Sequence, residues 1–373
     1  MKFKIKYIDL NSQHKSIVKE INEAVSKVFK NSAFILRQNV KQFEKKICKI
    51  LKVKYCVSVN SGTDALLFAL SQLNLKKNDE IITPSHTYVA SVSAICHVGA
   101  KPIFVDIRDD FNINPDLIEK KITKKTKAIM VVHLNGRSCD MSPIIRIAKK
   151  YRLKIIEDAA QAFGAQYNGK FVGNFGFAAA FSLHPMKNLS VPGDGGFLTT
   201  NNKKVYKNVM LLRDHGREKK DNKELRKCYG FNSRLDNLHA GIALVKLKYF
   251  FKWVAQRKKI AEKYNKILGK YPKWIIIPKF NHQNEYFETY NSYVIQVKNR
   301  DKLRDHLIKK KIEVFTHIGK GVHLEKNLYN KKIKLPMTEK IEKKILSLPI
   351  YPELTISKQK IICNEIIRFY EKK

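Results

Sequence analysis

The chain has 373 residues, of which 44% are hydrophobic and 28% are charged, a composition that excludes a disordered protein and favours two folded domains. Lys and Arg total 73 against 33 Asp and Glu, a formal net charge of +40, which raises the question of nucleic-acid binding. The lysines are spread through nearly every segment, and the longest unbroken run is Lys309-Lys310-Lys311. We therefore predict a solvated lysine-rich surface and no nucleic-acid partner.

The cysteines and the hydropathy pattern narrow the class of protein further. The six cysteines lie far apart and form no Cys-x-x-Cys pair, so they indicate neither a zinc site nor a redox site. We expect reduced thiols in a cytoplasmic protein that holds no metal ion. No stretch approaches the roughly 20 apolar residues of a membrane-spanning helix, so we predict no membrane partner.

Helical and strand patterns follow one another in the first half of the chain. Apolar residues keep helical spacing at residues 17–29 and again at residues 40–51. Short β-branched runs come next, separated by helical stretches, at residues 56–59, 81–83, 103–107, 128–132 and 153–156. This alternation is typical of βαβ units and predicts a mostly parallel sheet with helices on both faces.

A different pattern begins after residue 200. A long helix is predicted from about Asp236 to Leu268, and the segments after it indicate a strand and two helices, at residues 291–297, 300–311 and 357–370. We predict a large domain at residues 1–245 and a smaller C-terminal α/β domain at residues 246–373, including the linking helix.

Turns that follow strands are the first candidates for a site, because ligands of open parallel sheets bind outside the carboxyl ends of the strands. The turn at residues 60–64 (NSGTD) consists of small residues at the start of a helix, whose free N–H groups favour an anion such as phosphate. For this turn taken alone, an ordinary helix cap is the better explanation. The turn at residues 84–88 (PSHTY) places aromatic faces at another strand end, which packing alone could explain.

Two carboxylates, Glu157 and Asp158, end a later strand. Such a pair could hold magnesium in a nucleotide triphosphatase, and residues 164–170 come close to the sequence of a phosphate-binding loop. However, Phe171 stands where that loop needs Ser or Thr, and nearby glycines discourage the helix that must follow. We therefore do not expect a kinase or an ATPase.

One lysine has an unusual setting. Lys187 lies between a strand end at residues 181–182 and the glycine-rich segment at residues 193–196 (GDGG). A lysine in this position can be held against a cofactor, partly desolvated and used as a nucleophilic amine. The setting, rather than the residue type, makes Lys187 the candidate catalytic residue.

Taken together, these segments resemble the DegT/StrS family of PLP-dependent nucleotide-sugar aminotransferases. The resemblance covers nearly the whole chain and rests on segments in a fixed order: SGTDAL at 61–66, TPSHTY at 83–88, GAKPIFVD at 99–106, EDAAQ at 157–161, FSLHPMKN at 181–188, GDGG at 193–196, GFNSRLD at 230–236 and LSLPIYP at 346–352. It implies the aspartate-aminotransferase-like fold, PLP-dependent transferase fold type I. That α/β fold has a large domain with a mostly parallel sheet flanked by helices and a smaller C-terminal α/β domain.

The resemblance also implies a role for each matched residue near the cofactor ring. Lys187 would carry pyridoxal 5′-phosphate (PLP) as a Schiff base and then serve as acid and base for the proton shift. Asp158 would pair with the pyridinium nitrogen and keep it protonated. Gln161 would hydrogen-bond the ring hydroxyl, and Tyr88 would lie on the ring face with His86 close by.

The phosphate of the cofactor would be held at the first of the strand-end turns. The resemblance implies Gly62, Thr63, Asp64 and Ser182 as its ligands, together with Asn232 from a second subunit. An active site completed across the interface implies a homodimer with shared active sites.

The activity implied by the resemblance is a ping-pong transamination. An amino acid, L-glutamate, would convert PLP to its amine form, PMP, and the amine would pass to a keto group on a nucleotide-linked sugar, for polysaccharide, other glycan or secondary-metabolite biosynthesis. The chain departs from the family at Arg37, Asn135 and His239, positions that concern the substrate pocket rather than the cofactor.

Two alternatives remain beside this activity. One is a PLP-dependent sugar dehydratase on the same scaffold, but such enzymes carry His in place of the lysine, so Lys187 disfavours it. The other is a non-catalytic regulatory or nucleic-acid-binding homologue, which only the net charge supports.

Overall fold

The computed structural model describes residues 3–220, 223–278, 285–328 and 333–371. The strands of these residues are β1 (Tyr55–Val59), β2 (Glu80–Pro84), β3 (Lys101–Val105), β4 (Thr126–Val132), β5 (Lys154–Asp158), β6 (Gln166–Tyr167), β7 (Lys170–Phe171), β8 (Ala178–Ser182), β9 (Gly196–Thr200), β10 (Arg217–Lys220), β11 (Lys223–Arg226), β12 (Ile275–Ile276), β13 (Tyr286–Phe287), β14 (Tyr293–Val297) and β15 (Ile345–Leu348). The α-helices are α1 (Leu10–Lys15), α2 (Val18–Lys30), α3 (Gln38–Leu51), α4 (Gly62–Ser71), α5 (Val89–His97), α6 (Met141–Lys150), α7 (Lys203–Leu212), α8 (Asn237–Leu268), α9 (Arg300–Lys309), α10 (Pro336–Glu342) and α11 (Ile356–Glu371).

The central sheet is mostly parallel, as predicted. Within the described ranges it has seven strands in the order β1-β9-β8-β5-β4-β2-β3. Neighbouring strands are parallel from β8 to β3, whereas β9 pairs antiparallel with both β1 and β8. Every β-branched run predicted as a strand lies in this sheet. The carboxyl ends of the five parallel strands therefore lie at one edge.

Alternate residues of β8 show how helices cover both faces of the sheet. Ala178 and Ala180 pack into a core that contains residues of α4, α5 and α7. Ala179 and Phe181, which point the other way along the pleat, pack with residues of α3 and α8. The Phe181 ring stacks on Phe197 of β9 with 4.6 Å between ring centroids.

The long helix α8 contributes to three apolar clusters. Most of its buried apolar residues between 240 and 254 pack with α3 and the central sheet, whereas Val245 and Trp253 pack with Ile17. Its buried apolar residues between 260 and 268 pack with β14, β15 and α11. The boundary predicted between residues 245 and 246 stays a prediction, and residues 1, 2, 372 and 373 at the outer limits of the two predicted domains lie outside the described residues. No helix in the described ranges is long and apolar enough to cross a membrane.

Residues 166–171, which overlap the segment whose sequence is similar to that of a phosphate-binding loop, form a β-hairpin. β6 and β7 pair antiparallel around Asn168 and Gly169, which have φ angles of 49° and 70°, as a tight two-residue hairpin turn requires. β13 pairs with the outer side of β6. A small antiparallel sheet of three short strands thus takes the place of the helix that a phosphate-binding loop would need. Neither this hairpin nor the antiparallel pairing of β10 with β11 was predicted from the sequence.

Glu157 lies on the opposite face of β5 from Asp158 and makes several hydrogen bonds there. Its carboxylate is fully buried and accepts the backbone N–H groups of Gly173 at 2.7 Å, Phe175 at 2.8 Å and Gly176 at 2.7 Å. Successive residues of a strand point to opposite faces, so the two neighbouring carboxylates serve different purposes. Glu157 ties the loop before β8 to β5.

His133 is a further donor to the same carboxylate. Its Nδ1 accepts the backbone N–H of Cys139 at 3.0 Å, so the ring proton lies on Nε2. That atom is 3.2 Å from the Glu157 carboxylate and donates to it. The oxygens of Glu157 are therefore engaged by donors of the protein itself.

We expect Glu157→Gln to lower the free energy of unfolding by about 2–4 kcal/mol. The Gln amide would direct N–H hydrogens at backbone N–H groups that now donate to a carboxylate. Thermal or denaturant unfolding followed by circular dichroism measures the change. Glu119→Gln is the matched control, because Glu119 is exposed and pairs with Lys150 at the surface; equal stability of the two variants would contradict the structural role of Glu157.

Candidate active site

A cavity of about 330 Å³ lies at the carboxyl ends of the parallel strands. Most of the predicted cofactor residues line it: Gly62, Thr63, Tyr88, Asp158, Gln161, Ser182 and Lys187. The amine and the carboxylate that the sequence analysis assigned to the two sides of the cofactor ring thus share one cavity. Side chains from β5, β8, α4 and α5 meet there.

Three residues that the sequence analysis placed near the cofactor do not line this cavity. The Asp64 carboxylate accepts the hydroxyl of Ser233 at 2.6 Å, and its backbone N–H donates to Ser61 Oγ at 3.0 Å. Asn232 is exposed, and His86 is buried outside the cavity lining. Asp64 thus links the start of α4 to the segment that carries Asn232.

A chain of hydroxyl groups fixes the Asp158 carboxylate. Ser91 Oγ donates to one carboxylate oxygen at 2.6 Å, and the backbone N–H of Ala160 donates to the other at 3.1 Å. Thr87 Oγ1 lies 2.7 Å from Ser91 Oγ. Because Ser91 gives its single hydrogen to Asp158, Thr87 must be the donor in that contact. The carboxylate is oriented from both sides and remains able to accept another hydrogen bond.

Lys187 follows the end of β8 in a tight turn. Its backbone N–H donates to the carbonyl oxygen of His184 at 2.8 Å. Burial lowers the pKa of its amine, and the negative charge of Asp158 partly offsets that shift. Since only the neutral amine is a nucleophile, burial favours the form that can bond to an aldehyde carbon.

The start of α4 forms a cradle beside Ser182. Ser61 caps the helix through its side chain, and the first turn, with Gly62 and Thr63, faces the cavity. A Cβ atom on Gly62 would lie 2.9 Å from Cβ of Ser182 and 3.2 Å from its Cα, so only glycine lets the helix start approach β8 this closely. Backbone N–H groups at a helix start, together with two hydroxyls, suit a phosphate group.

His317 also lines the cavity, and the sequence analysis did not find it. It lies between α9 and α10 in a segment without regular structure, so no turn after a strand pointed to it. Its Nε2 is 3.2 Å from Nε2 of Gln161. Burial lowers the pKa of His317 to about 4, and the positive charges of Lys187 and His184 contribute to that shift.

Comparison with known proteins identifies the family. The model of the DegT/DnrJ/EryC1/StrS aminotransferase family matches residues 15–367. The chain belongs to this family. The fold and the family expected from the sequence are thereby confirmed.

Individual relatives of this family match over nearly their whole length. The dTDP-3-amino-3,6-dideoxy-alpha-D-galactopyranose transaminase of Aneurinibacillus thermoaerophilus is 39% identical, over 98% of this chain and 99% of that protein. A pleiotropic regulatory protein of Geobacillus stearothermophilus is 37% identical, over 97% and 98%. The crystal structure of S. venezuelae DesV in complex with a ketimine intermediate superposes with a TM-score of 0.93 at 32% identity, covering 100% of this chain and 99% of that one.

The cofactor of this aminotransferase is PLP. Among the family's solved structures that match this chain, one contains bound PMP and another is in the PLP form. The residues present fit such a group, because a buried amine, an oriented carboxylate and a helix-start cradle line one cavity of suitable size.

We expect Gly62→Ala to weaken PLP binding roughly tenfold or more. The added methyl group would collide with Ser182 and push the start of α4 away from β8. Titration of the apo protein with PLP, followed by absorbance, measures the affinity. Ser71→Ala, at the other end of the same helix, is the control and should bind PLP as the wild type does; unchanged affinity of Gly62→Ala would contradict the cradle.

Proposed function

We propose that this member of the DegT/DnrJ/EryC1/StrS family transfers an amino group from L-glutamate to a keto group of a nucleotide-linked sugar. The observation that carries the proposal is the convergence of Lys187, Asp158 and the start of α4 in one cavity. The name of the Aneurinibacillus relative supports a nucleotide sugar as the acceptor. A cytoplasmic location, predicted from the sequence, goes with this proposal.

Lys187 and Asp158 have different roles in the proposed reaction. When bound, PLP supplies a conjugated ring that takes up the electrons left when the amine-bearing carbon loses its proton. Lys187 would hold the cofactor covalently, and its amine would move that proton. Asp158 holds a proton on the ring nitrogen, for which Ser91 and Ala160 orient its carboxylate.

The remaining cavity residues bind and orient. Gly62, Thr63 and Ser182 hold the phosphate through backbone N–H groups and hydroxyls. Tyr88, at the start of α5 and 65% exposed, lines the cavity and would lie on the face of the cofactor ring. Gln161 donates from its amide to the ring hydroxyl.

The residues that line the cavity favour catalysis over the two alternatives. A dehydratase of this fold would carry His at the position of Lys187. The regulatory name of the Geobacillus relative supports a non-catalytic homologue, but a buried amine and an oriented carboxylate that share one cavity fit a bound cofactor better. Transamination therefore remains the function that the site supports best.

We propose further that two copies of the chain share their active sites. Asn232 is exposed outside its own cavity, and nearby apolar side chains are exposed as well, with Tyr229 fully exposed and Phe231 at 48%. Exposed apolar groups of this kind favour burial in an interface. Because Ser233 bonds to Asp64, the segment with Asn232 is anchored at the start of α4, and we propose that the exposed Asn232 extends from there into the partner's site.

We expect L-glutamate to shift the absorbance of the purified holoenzyme from the PLP to the PMP form, and a keto-sugar nucleotide to restore it with release of 2-oxoglutarate. Lys187→Ala should reduce turnover at least about a thousandfold and remove the lysine-bound absorbance. Lys204→Ala, an exposed lysine of α7, should behave as the wild type does. Absence of product across a panel of keto-sugar nucleotides would contradict the proposed acceptor.

Subunit mixing tests the shared site. Lys187→Ala and Asn232→Asp should each be nearly inactive at limiting PLP, the second because a carboxylate would repel the phosphate. Random mixing yields half heterodimers, each with one intact site, so activity should return to about a quarter of the wild-type value.

Two results would contradict this arrangement. If Asn232 serves the site of its own chain, no mixture regains activity, because each site then carries one defect. If the protein is a monomer by sedimentation at assay concentration, no heterodimer can form. Mixing each variant with itself provides the background.

A further inference from the structure

Among the described residues that line the cavity, His317 alone lies beyond α8. Its neighbours hold it in place from both sides. Thr316 Oγ1 accepts from Arg300 of α9 at 3.2 Å. Ile318, 8% exposed, packs into an apolar cluster that includes Leu134. A histidine held between two anchored residues has little freedom to move away from the cavity.

The orientation of the Gln161 amide follows from the donors around it. The backbone N–H of Asn135 lies 2.8 Å from Gln161 Oε1, and a backbone N–H can only donate, so this atom must be the oxygen. The nitrogen of the amide therefore points the other way, to His317 at 3.2 Å. Asn135 makes this contact from a left-handed backbone conformation with φ 59°.

The protonation state of His317 follows in turn. Because Gln161 Nε2 is a donor without a lone pair to offer, His317 Nε2 must accept, and the ring proton lies on Nδ1. The pKa of His317, lowered to about 4, keeps the ring neutral near pH 7. Burial is the largest cause, and a positive ring would also face Lys187 and His184.

The amide of Gln161 has two hydrogens, and His317 takes only one. With its oxygen held by Asn135 and one hydrogen held by His317, the amide plane cannot rotate. The second hydrogen is then free for a ligand in the cavity. A donor at the hydroxyl oxygen of the cofactor ring stabilises the ionised oxygen and thereby lowers the pKa of the nitrogen that joins Lys187 to the cofactor.

We propose that His317 is a positioning residue that acts through Gln161: it fixes the amide so that one N–H faces the ring hydroxyl of PLP. The proposal rests on the proposed function, because it requires PLP bound to Lys187. According to this proposal, a residue in the C-terminal part of the chain influences the pKa of the nitrogen that joins Lys187 to the cofactor. His317 does so through Gln161 and does not touch the reacting atoms.

The pH titration of the lysine-bound absorbance tests the proposal. In His317→Leu the amide can rotate, and we expect the apparent pKa of this absorbance to rise by about one pH unit. His317→Asn, which is polar but too short to reach Gln161, should give the same shift. In His317→Gln, the side-chain oxygen reaches the position of Nε2 and accepts, so the pKa should return to within a few tenths of the wild-type value. His97→Gln, on the exposed end of α5, is the control.

A double variant decides whether His317 acts through Gln161. Gln161→Leu should raise the pKa as His317→Leu does, and Gln161→Leu/His317→Leu should show no further rise. Additive shifts would overturn the proposal, because His317 would then act on the cofactor directly. An unshifted titration in both His317→Leu and His317→Asn would overturn it as well.

These outcomes separate the positioning role from the proposed function. A wild-type protein without any lysine-bound absorbance contradicts the role of Lys187. A wild-type protein with that absorbance, combined with an unshifted titration in the His317 variants, contradicts the positioning role alone.

Discussion

Parallel pairing of β5 with β8 is the constraint on which the active site depends. Asp158, the last residue of β5, lies opposite Ala180 in this pairing, so the chain leaves β8 at the same edge of the sheet and places Lys187 beside the carboxylate. Ser182, which ends β8, then meets Gly62 at the start of α4. The sheet thus places the carboxylate directly, whereas the turn after β8 and the capped start of α4 bring the amine and the phosphate cradle to the same edge, which gives the precision that catalysis needs.

The alternation of side chains along β5 separates stability from function. Glu157 points away from the cavity and collects donors from the loop before β8, whereas Asp158 points into it and is oriented by Ser91. A buried carboxylate without hydrogen-bond donors would destabilise the fold, so Glu157 requires its own set of hydrogen bonds. These bonds also fix the end of β5, from which Asp158 projects. Two successive residues of β5 therefore have different roles: Glu157 stabilises the fold, and Asp158 lines the cavity.

Local patterns were sufficient to predict the parallel strands, the long helix and the cluster at Lys187, because strand ends, caps and glycine turns are encoded within a few residues. Contacts between distant segments were not predictable in this way. His317 lies 156 residues from its partner Gln161, and the Asp64 carboxylate bonds to Ser233, 169 residues away. The place of Asp64 in a motif predicted a role at the phosphate, which stays a prediction, but it did not predict that its carboxylate accepts the hydroxyl of this distant serine.

The cavity does not share the strongly basic character of the chain, whose net charge is +40, because among the described residues one lysine, Lys187, and two aspartates, Asp158 and Asp194, line it. Burial lowers the pKa of Lys187 and brings that of His317 to about 4, which disfavours positive charge in the cavity, whereas salt screens the exposed lysines of the surface. Recognition of an anionic group in the cavity therefore depends on oriented dipoles: the helix start at Gly62, the hydroxyls of Thr63 and Ser182 and the amide of Gln161. Such groups act at short range and in fixed directions, which allows a very basic protein to hold one phosphate in one orientation.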